Sequence, residues 1–63
     1  MELIGKLYSI EEVSEMLKVD RKTVDRWIKE NKLTAMKLAG TLWRIREKDL
    51  NYFILQALEE GRR

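Results

Sequence analysis

The sequence predicts a small, mainly α-helical domain that carries one β-hairpin. Two short segments show the apolar spacing of amphipathic helices, and only two residues separate them. A stretch in which apolar and polar side chains alternate follows, and after it comes a longer helical segment. The predicted order is therefore helix, tight turn, helix, hairpin, helix. A chain of 63 residues has room for one such domain around a small core.

The first helix is predicted from a capping box. A Ser-Ile-Glu-Glu stretch begins at Ser9, whose hydroxyl accepts a hydrogen bond from an early backbone N–H while the Glu12 side chain reaches back. Val13 and Leu17 fall on one helical face behind this cap, so we expect a helix over about 10–18.

The second helix is expected over about 21–30. Asp20 stands at its N-cap position, and Val24 and Trp27 recur behind it at helical spacing. Asn31 follows where a helix end favours the left-handed conformation that Asn tolerates. Two short amphipathic helices joined this tightly indicate a helix-turn-helix.

The segment 34–46 predicts the hairpin. Its apolar side chains alternate with basic ones on both sides of Ala39-Gly40, a turn pair that leaves the register open. The apolar set is Met36, Leu38, Trp43 and Ile45, and the basic set is Lys37, Arg44 and Arg46. We expect the three bases to project together from the outward face.

A third helix is expected over about 47–60, ending at Gly61. Its predicted core stripe consists of Leu50, Phe53, Ile54, Ala57 and Leu58. Tyr52 and Leu55 lie opposite that stripe, either as scattered exposed side chains or as a contact face for another subunit or protein.

We expect one domain over residues 7–60, with a leader over 1–6 and a tail over 61–63. Residues 3–7 can add a short strand beside the hairpin. No apolar run approaches the roughly 18 residues of a membrane span, and no signal-peptide pattern opens the chain. A cytoplasmic location is the resulting expectation.

The residue types argue against catalysis and metal binding. Cysteine and histidine are both absent, which removes the usual zinc ligands and the commonest general base. The carboxylates Glu11, Glu12 and Glu15 are explained by capping and by solvation of an exposed helix face. We therefore expect no cofactor and no enzyme activity.

Charge is distributed unevenly along the chain. Residues 21–46 carry eight Lys and Arg against two acids, a balance of +6, whereas the flanking segments are acidic and the whole chain is +2. Such a basic middle is typical of a protein with an anionic partner.

The second helix concentrates this charge into a basic stripe, defined by Lys22, Arg26 and Lys29 on the face opposite Val24. One interpretation is a solvated helix, in which Asp25–Lys29 and Arg26–Glu30 form i, i+4 ion pairs. The other is a helix that lies in the major groove of DNA. The basic hairpin that follows favours DNA.

Trp27 and Trp43 admit two interpretations as well. Aromatic rings can stack on nucleobases, but each of these residues falls on the apolar side of its element. We expect both to pack in the core.

Two blocks of the chain resemble the MerR/excisionase superfamily of small winged helix-turn-helix DNA-binding domains. They are L7-Y-S-I-E-E-V-S-E-M-L-K-V-D-R-K-T-V-D-R-W-I-K and L33-T-A-M-K-L-A-G-T-L-W-R-I-R-E-K-D-L, and the resemblance covers about residues 7–54. Short BldC-like regulators, which lack an effector domain, look closest. Asn31 and Thr34 stand where many relatives carry Gly and Pro, and the wing tip lacks the bases found in many of them.

The resemblance implies that Arg21, Lys22, Thr23 and Arg26 face duplex DNA and that Lys37, Thr41 and Arg44 lie on or beside the wing. It also implies a prokaryotic or phage protein that acts as a transcriptional regulator or as a recombination accessory factor. A homo-oligomer on repeated sites and an integrase are the further partners expected, and a protein-interaction adaptor is the competing class.

Overall fold

Three helices and a small antiparallel sheet form the part of the domain that the structure describes, as the sequence predicts. The computed structural model describes residues 5–62. The elements are β1 (Leu7–Tyr8), α1 (Ile10–Leu17), α2 (Arg21–Lys29), β2 (Met36–Leu38), β3 (Leu42–Arg46) and α3 (Glu47–Gly61). No helix in this described part of the chain has the length and apolar character to cross a membrane.

The capping box at the start of α1 is confirmed. The backbone N–H of Glu12 donates to Ser9 Oγ at 3.1 Å, and the backbone N–H of Ser9 donates to Glu12 Oε1 at 2.8 Å. The helix ends where Lys18 adopts φ 59°, and the N–H of Val19 donates to the Ser14 carbonyl at 2.9 Å. This pattern is a Schellman motif, which ends α1 early and leaves three residues between α1 and α2 instead of the two expected.

Both ends of α2 lie close to their predicted places. Asp20 is the N-cap residue, but its side chain makes no capping hydrogen bond; its carbonyl accepts from Thr23 N at 3.0 Å. At the other end Asn31 has φ 61°, and Lys32 N donates to Trp27 O at 2.8 Å. Asn31 therefore supplies the left-handed exit that glycine often supplies.

The sheet has the strand order β1-β3-β2. The strand expected over 3–7 overlaps the observed strand only at Leu7: β1 is Leu7–Tyr8, paired with Ile45 and Arg46, and residues 1–4 lie outside the described residues. In the hairpin, Ala39 and Gly40 both have positive φ (51° and 77°), as in a type I′ turn. This turn brings β2 and β3 into an antiparallel pair.

The register of the hairpin corrects one expectation. Lys37 pairs directly with Trp43, and Met36 pairs directly with Arg44. Directly paired residues project from the same face of a sheet, so Lys37 and Arg44 lie on opposite faces. The prediction that Lys37, Arg44 and Arg46 share one face was therefore wrong. The register of β2 against β3 instead places Lys37 beside Trp43.

One buried cluster joins every helix to the sheet. Its fully buried members are Ile10, Val13, Val24, Leu33, Ile45 and Leu50. Trp27 and Trp43 are half-buried and pack against this cluster, as predicted, and the Trp27 ring lies 4.8 Å from the Phe53 ring. Val24, with 0 % of its surface exposed, attaches α2 to the core and directs the opposite face outward.

The predicted core stripe of α3 is correct only in its first half. Leu50 is buried and Phe53 is half-buried, whereas Ile54 is 41 % and Leu58 57 % exposed, and Ala57 is also exposed. A helix of 15 residues spans about 22 Å at 1.5 Å per residue. The core of so small a domain does not extend that far, so the α3 tail (residues 54–61) continues beyond it.

Candidate nucleic-acid interface

The basic stripe of α2 is exposed as the sequence predicts. Lys22, Arg26 and Lys29 are all exposed, and the fully buried Val24 fixes their orientation from the other side of the helix. The stripe therefore presents three cations on a rigid element at the surface of the domain.

The ion pairs required by the solvated-helix interpretation do not form. Among residues 5–62, neither Asp25 and Lys29 nor Arg26 and Glu30 approach within salt-bridge distance. Glu30 instead meets Lys32, with 3.4 Å between Oε1 and Nζ. The charges of Arg26 and Lys29 remain available to an anionic ligand.

Arg21, at the start of α2, is held beside α1. Its Nη1 lies 2.9 Å from Glu11 Oε2, and both side chains are about three-fifths exposed (61 % and 59 %). A pair this exposed is worth at most about 1 kcal/mol, so it orients Arg21 without immobilising it. Thr23, in the same first turn of α2, is half-buried.

The wing bases differ in their surroundings. The Nη1 of Arg44 donates to the Trp43 carbonyl at 2.7 Å, and the ammonium of Lys37 lies 5.2 Å from the centre of the Trp43 ring. Arg46 forms a two-pronged contact with Asp49, from Nε to Oδ2 at 2.6 Å and from Nη2 to Oδ1 at 3.0 Å.

The contact with Asp49 changes the electrostatics of Arg46. The hydrogen bond and the carboxylate charge raise the pKa of this guanidinium above its usual value. The guanidinium of Arg46 is already paired with the Asp49 carboxylate, so a DNA phosphate would have to displace Asp49 to bind Arg46. Sequence reasoning missed this pair, although a base and an acid three residues apart across a helix start are a detectable signal.

A groove brings α1, α2 and the wing together. Its lining includes Ser9, Glu11, Arg21, Thr41 and Arg44. β1 pairs with β3 only at Ile45 and Arg46. The β3 edge that faces β1 is therefore unpaired at residues 42–44. The structure thus places three of the predicted site residues, one from α2 and two from the wing, around one concave surface.

The partner face predicted on α3 is exposed, and its apolar surface is larger than predicted. Tyr52 and Leu55 are 62 % and 57 % exposed. Ile54 and Leu58, which were expected in the core, extend the apolar surface beyond Leu55. A chain of 63 residues has a small core, and a helix of this length extends beyond it. The exposure of Ile54 and Leu58 could therefore have been predicted from the sequence.

Two of the three carboxylates of α1 make structural contacts, and the third, Glu15, is exposed. Glu12 completes the capping box and Glu11 pairs with Arg21. Within residues 5–62, no group of three or more acidic side chains is arranged to hold a metal ion.

The geometry is that of two helices joined by a tight turn, with the second helix exposing bases. A family model described as a helix-turn-helix domain matches residues 7–57. The chain belongs to this helix-turn-helix domain family. The match runs from β1 through most of α3, so it contains the basic stripe and the wing, and it identifies a DNA-binding helix-turn-helix protein. A search of curated proteins finds no match.

Proposed function

We propose that this helix-turn-helix protein is a sequence-specific regulator of transcription that binds duplex DNA with α2 in the major groove. The observation that carries the proposal is the exposed basic stripe, whose cations lack the intrahelical ion pairs of a solvated helix. The fold presents the second helix of the motif, which is the one that enters the groove in such proteins.

The residues of α2 divide between base and phosphate contacts. Lys22 and Arg26 donate to guanine O6 and N7, the commonest specific contact in the major groove. Lys29, near the helix end, neutralises a phosphate, and Thr23 donates its hydroxyl to a base or phosphate oxygen. Arg21 turns from Glu11 to a phosphate when DNA is present.

The wing contributes contacts from two faces. Arg44 and Thr41, beside Arg21 in the groove, hold the backbone next to the major-groove contact. Lys37 approaches from the other face of the hairpin. Arg46 contributes least, because its guanidinium is already bound to Asp49.

Cooperative binding to repeated sites follows from the size of the module. A single domain of this kind buries only about 600–1,000 Å² on DNA, which limits its affinity for one site. We propose that neighbouring copies contact each other on tandem sites in the cytoplasm of a prokaryote, or of a cell infected by a phage.

Selection from random duplexes tests the proposal. The wild-type protein is expected to enrich one motif, and the Lys22→Ala/Arg26→Ala variant is expected to lose it while retaining weak, salt-sensitive binding to any duplex. A mobility-shift titration on one and two copies of the motif then measures cooperativity. Failure of the wild-type protein to enrich any motif would refute sequence-specific binding and support an adaptor role.

A second candidate is an accessory factor of site-specific recombination that bends DNA and recruits an integrase. The exposed apolar α3 tail favours this function. DNA binding does not use the tail, so the tail can bind a protein partner. An excision assay with the cognate integrase separates the two functions, since a pure regulator leaves the yield of excised product unchanged.

A further inference from the structure

One acidic side chain lies beside the basic stripe of α2. Asp25 is the one acid among the nine residues of this helix. It directly follows the buried Val24, so its side chain projects about 100° around the helix axis from the core, beside Lys22 and Lys29 of the stripe. A carboxylate at this place repels the phosphates that the stripe attracts, so contacts with the DNA backbone do not explain it.

The carboxylate of Asp25 has no partner among the described residues, 5–62. Arg21 and Lys29 stand four residues to either side of it, at the spacing where ion pairs form along a helix. Arg21 instead pairs with Glu11, and Lys29 forms no ion pair in this part of the chain. Asp25 is half-buried, but no buried side-chain oxygen between residues 5 and 62 lacks a hydrogen-bond partner. The free oxygens of Asp25 are therefore at the surface, open to a donor from another molecule.

Asp25 lies on the side of α2 that faces the wing. Its neighbours on that side of the helix are Arg21, four residues before it, and Ile28, three residues after it. Arg21 and Ile28 each line a groove together with Trp43 of β3. Asp25 thus lies between the basic stripe and the wing, at the edge of the surface that the proposed complex turns towards the base pairs.

The stability of the free helix does not account for Asp25. The helix macrodipole favours acids within the first turn, whereas Asp25 is the fifth residue of α2. Aspartate also has one of the lower helix propensities, so the helix gains no local stability from it. Its place between the stripe and the wing distinguishes Asp25 from an acid on an ordinary solvated face.

We propose that Asp25 is a specificity-determining residue whose carboxylate accepts a hydrogen bond from the N4 amino group of a cytosine in the major groove. Asp25 has this role only with α2 in that groove, so the inference rests on the proposed function. The amino groups that base pairs present there are N4 of cytosine and N6 of adenine. Adenine carries the acceptor N7 beside N6, and the N7 lone pair repels a carboxylate. The major-groove edge of cytosine has no acceptor, so cytosine is the preferred base.

Asp25 acts largely by rejecting other sequences. Guanine and thymine present the acceptors O6, N7 and O4 in the major groove, and a carboxylate that faces an acceptor is left without a hydrogen bond. On any duplex the negative charge also opposes the phosphates. Asp25 therefore weakens binding to non-cognate DNA more than it strengthens binding to the cognate site, which is specificity obtained through repulsion.

Orientation of a neighbouring base is the competing role. In that arrangement Asp25 pairs with Lys22 or Lys29 once DNA is bound and holds the ammonium group towards its own target. The two roles differ in where specificity is lost when Asp25 is replaced. Direct contact with cytosine affects one base position, whereas orientation of a lysine affects the base or phosphate that this lysine binds.

Selection of duplexes from a random pool tests the proposal with the wild-type protein and the variants Asp25→Asn and Asp25→Ala. The wild type is expected to enrich a motif with a cytosine next to the guanines bound by Lys22 and Arg26. Asn has the shape of Asp without its charge and pairs with N6 and N7 of adenine, so Asp25→Asn is expected to change that cytosine to adenine. Asp25→Ala is expected to accept any base at that position and to keep the other positions of the motif.

Affinity titrations on the selected motif give the magnitude. Replacing the cytosine is expected to weaken wild-type binding at least about five-fold, the lower end of the discrimination by a good base contact, and Asp25→Ala binding less than about two-fold. Asp25→Ala is also expected to bind a random duplex several-fold more tightly than wild type at low salt, with a smaller gain at high salt. Glu30→Gln is the matched control, since it removes one negative charge at the exposed end of α2 and should leave the base preference unchanged.

The outcomes distinguish failure of this inference from failure of the proposed function. A wild-type protein that enriches no motif overturns both. A motif that keeps its cytosine in both Asp25 variants overturns the role of Asp25 alone and leaves α2 as the reading helix. Loss of the guanines rather than the cytosine in Asp25→Asn overturns direct contact in favour of orientation. Thermal melting followed by circular dichroism checks that both variants are folded.

Discussion

Two leucines on one helix provide a matched test of where the core ends. Leu50 and Leu58 both belong to the predicted apolar stripe of α3, yet they are 2 % and 57 % exposed. Leu50→Ala removes a side chain from the buried cluster, and such changes cost about 2–5 kcal/mol because a cavity adds to the forfeited transfer free energy. Leu58→Ala removes the same atoms from solvent, so its effect should stay within about 0.5 kcal/mol.

Thermal unfolding followed by circular dichroism measures both effects. A domain of this size shifts its Tm by roughly 4–8 °C per kcal/mol, so Leu50→Ala should lower the Tm by about 10 °C or more. Leu58→Ala should leave the Tm within a few degrees, and alanine's higher helix propensity acts in its favour. Similar losses at the two positions would refute the conclusion that the α3 tail lies beyond the core.

The remaining predictions concern single contacts. Ser9→Ala should lower the free energy of unfolding by about 1 kcal/mol in urea titrations, because it removes half of the capping box. Ala39→Gly should raise that free energy by about 1 kcal/mol, since alanine at φ 51° is strained and glycine is not; an unchanged value would contradict the turn geometry. Asp49→Asn should strengthen DNA binding in an anisotropy titration, because it releases Arg46 for a phosphate, and weaker binding would show that Asp49 orients Arg46.

The helices were predictable because their signals are local. The capping box at Ser9, the N-cap position of Asp20 and the left-handed Asn31 each depend on a few adjacent residues and on backbone geometry. The basic stripe follows from helical spacing alone once Val24 is assigned to the core.

The hairpin register and the extent of α3 were not predictable in the same way. A shift of one residue between β2 and β3 changes whether Lys37 shares a face with Arg44 or with Trp43, and Ala39-Gly40 does not specify that shift. Likewise, apolar spacing places Ile54 and Leu58 on the core side of α3 but does not say how far the core reaches. Both features depend on packing between distant segments.

The pairings of charged side chains also depend on tertiary structure. Arg21 binds Glu11 across the turn between α1 and α2, and Glu30 binds Lys32 rather than Arg26. Exposed ion pairs differ in free energy by only a few tenths of a kcal/mol, so i, i+4 spacing does not determine which of them forms.

Binding of a single selected duplex by charge-reversal variants tests most directly whether α2 is the DNA-reading helix. Lys22→Glu/Arg26→Glu reverses two charges of the stripe, and Lys6→Glu/Lys48→Glu makes the same change in net charge at exposed positions away from it. Removal of two base-specific hydrogen-bonding side chains, at about 1–3 kcal/mol each, should weaken binding at least 30-fold. The slope of log K against log salt should also become shallower, by about 0.9 for each phosphate that the variant no longer neutralises.

The control pair is expected to weaken binding several-fold at most. Equal losses of affinity for the two pairs would mean that only net charge matters, and would contradict a reading role for α2.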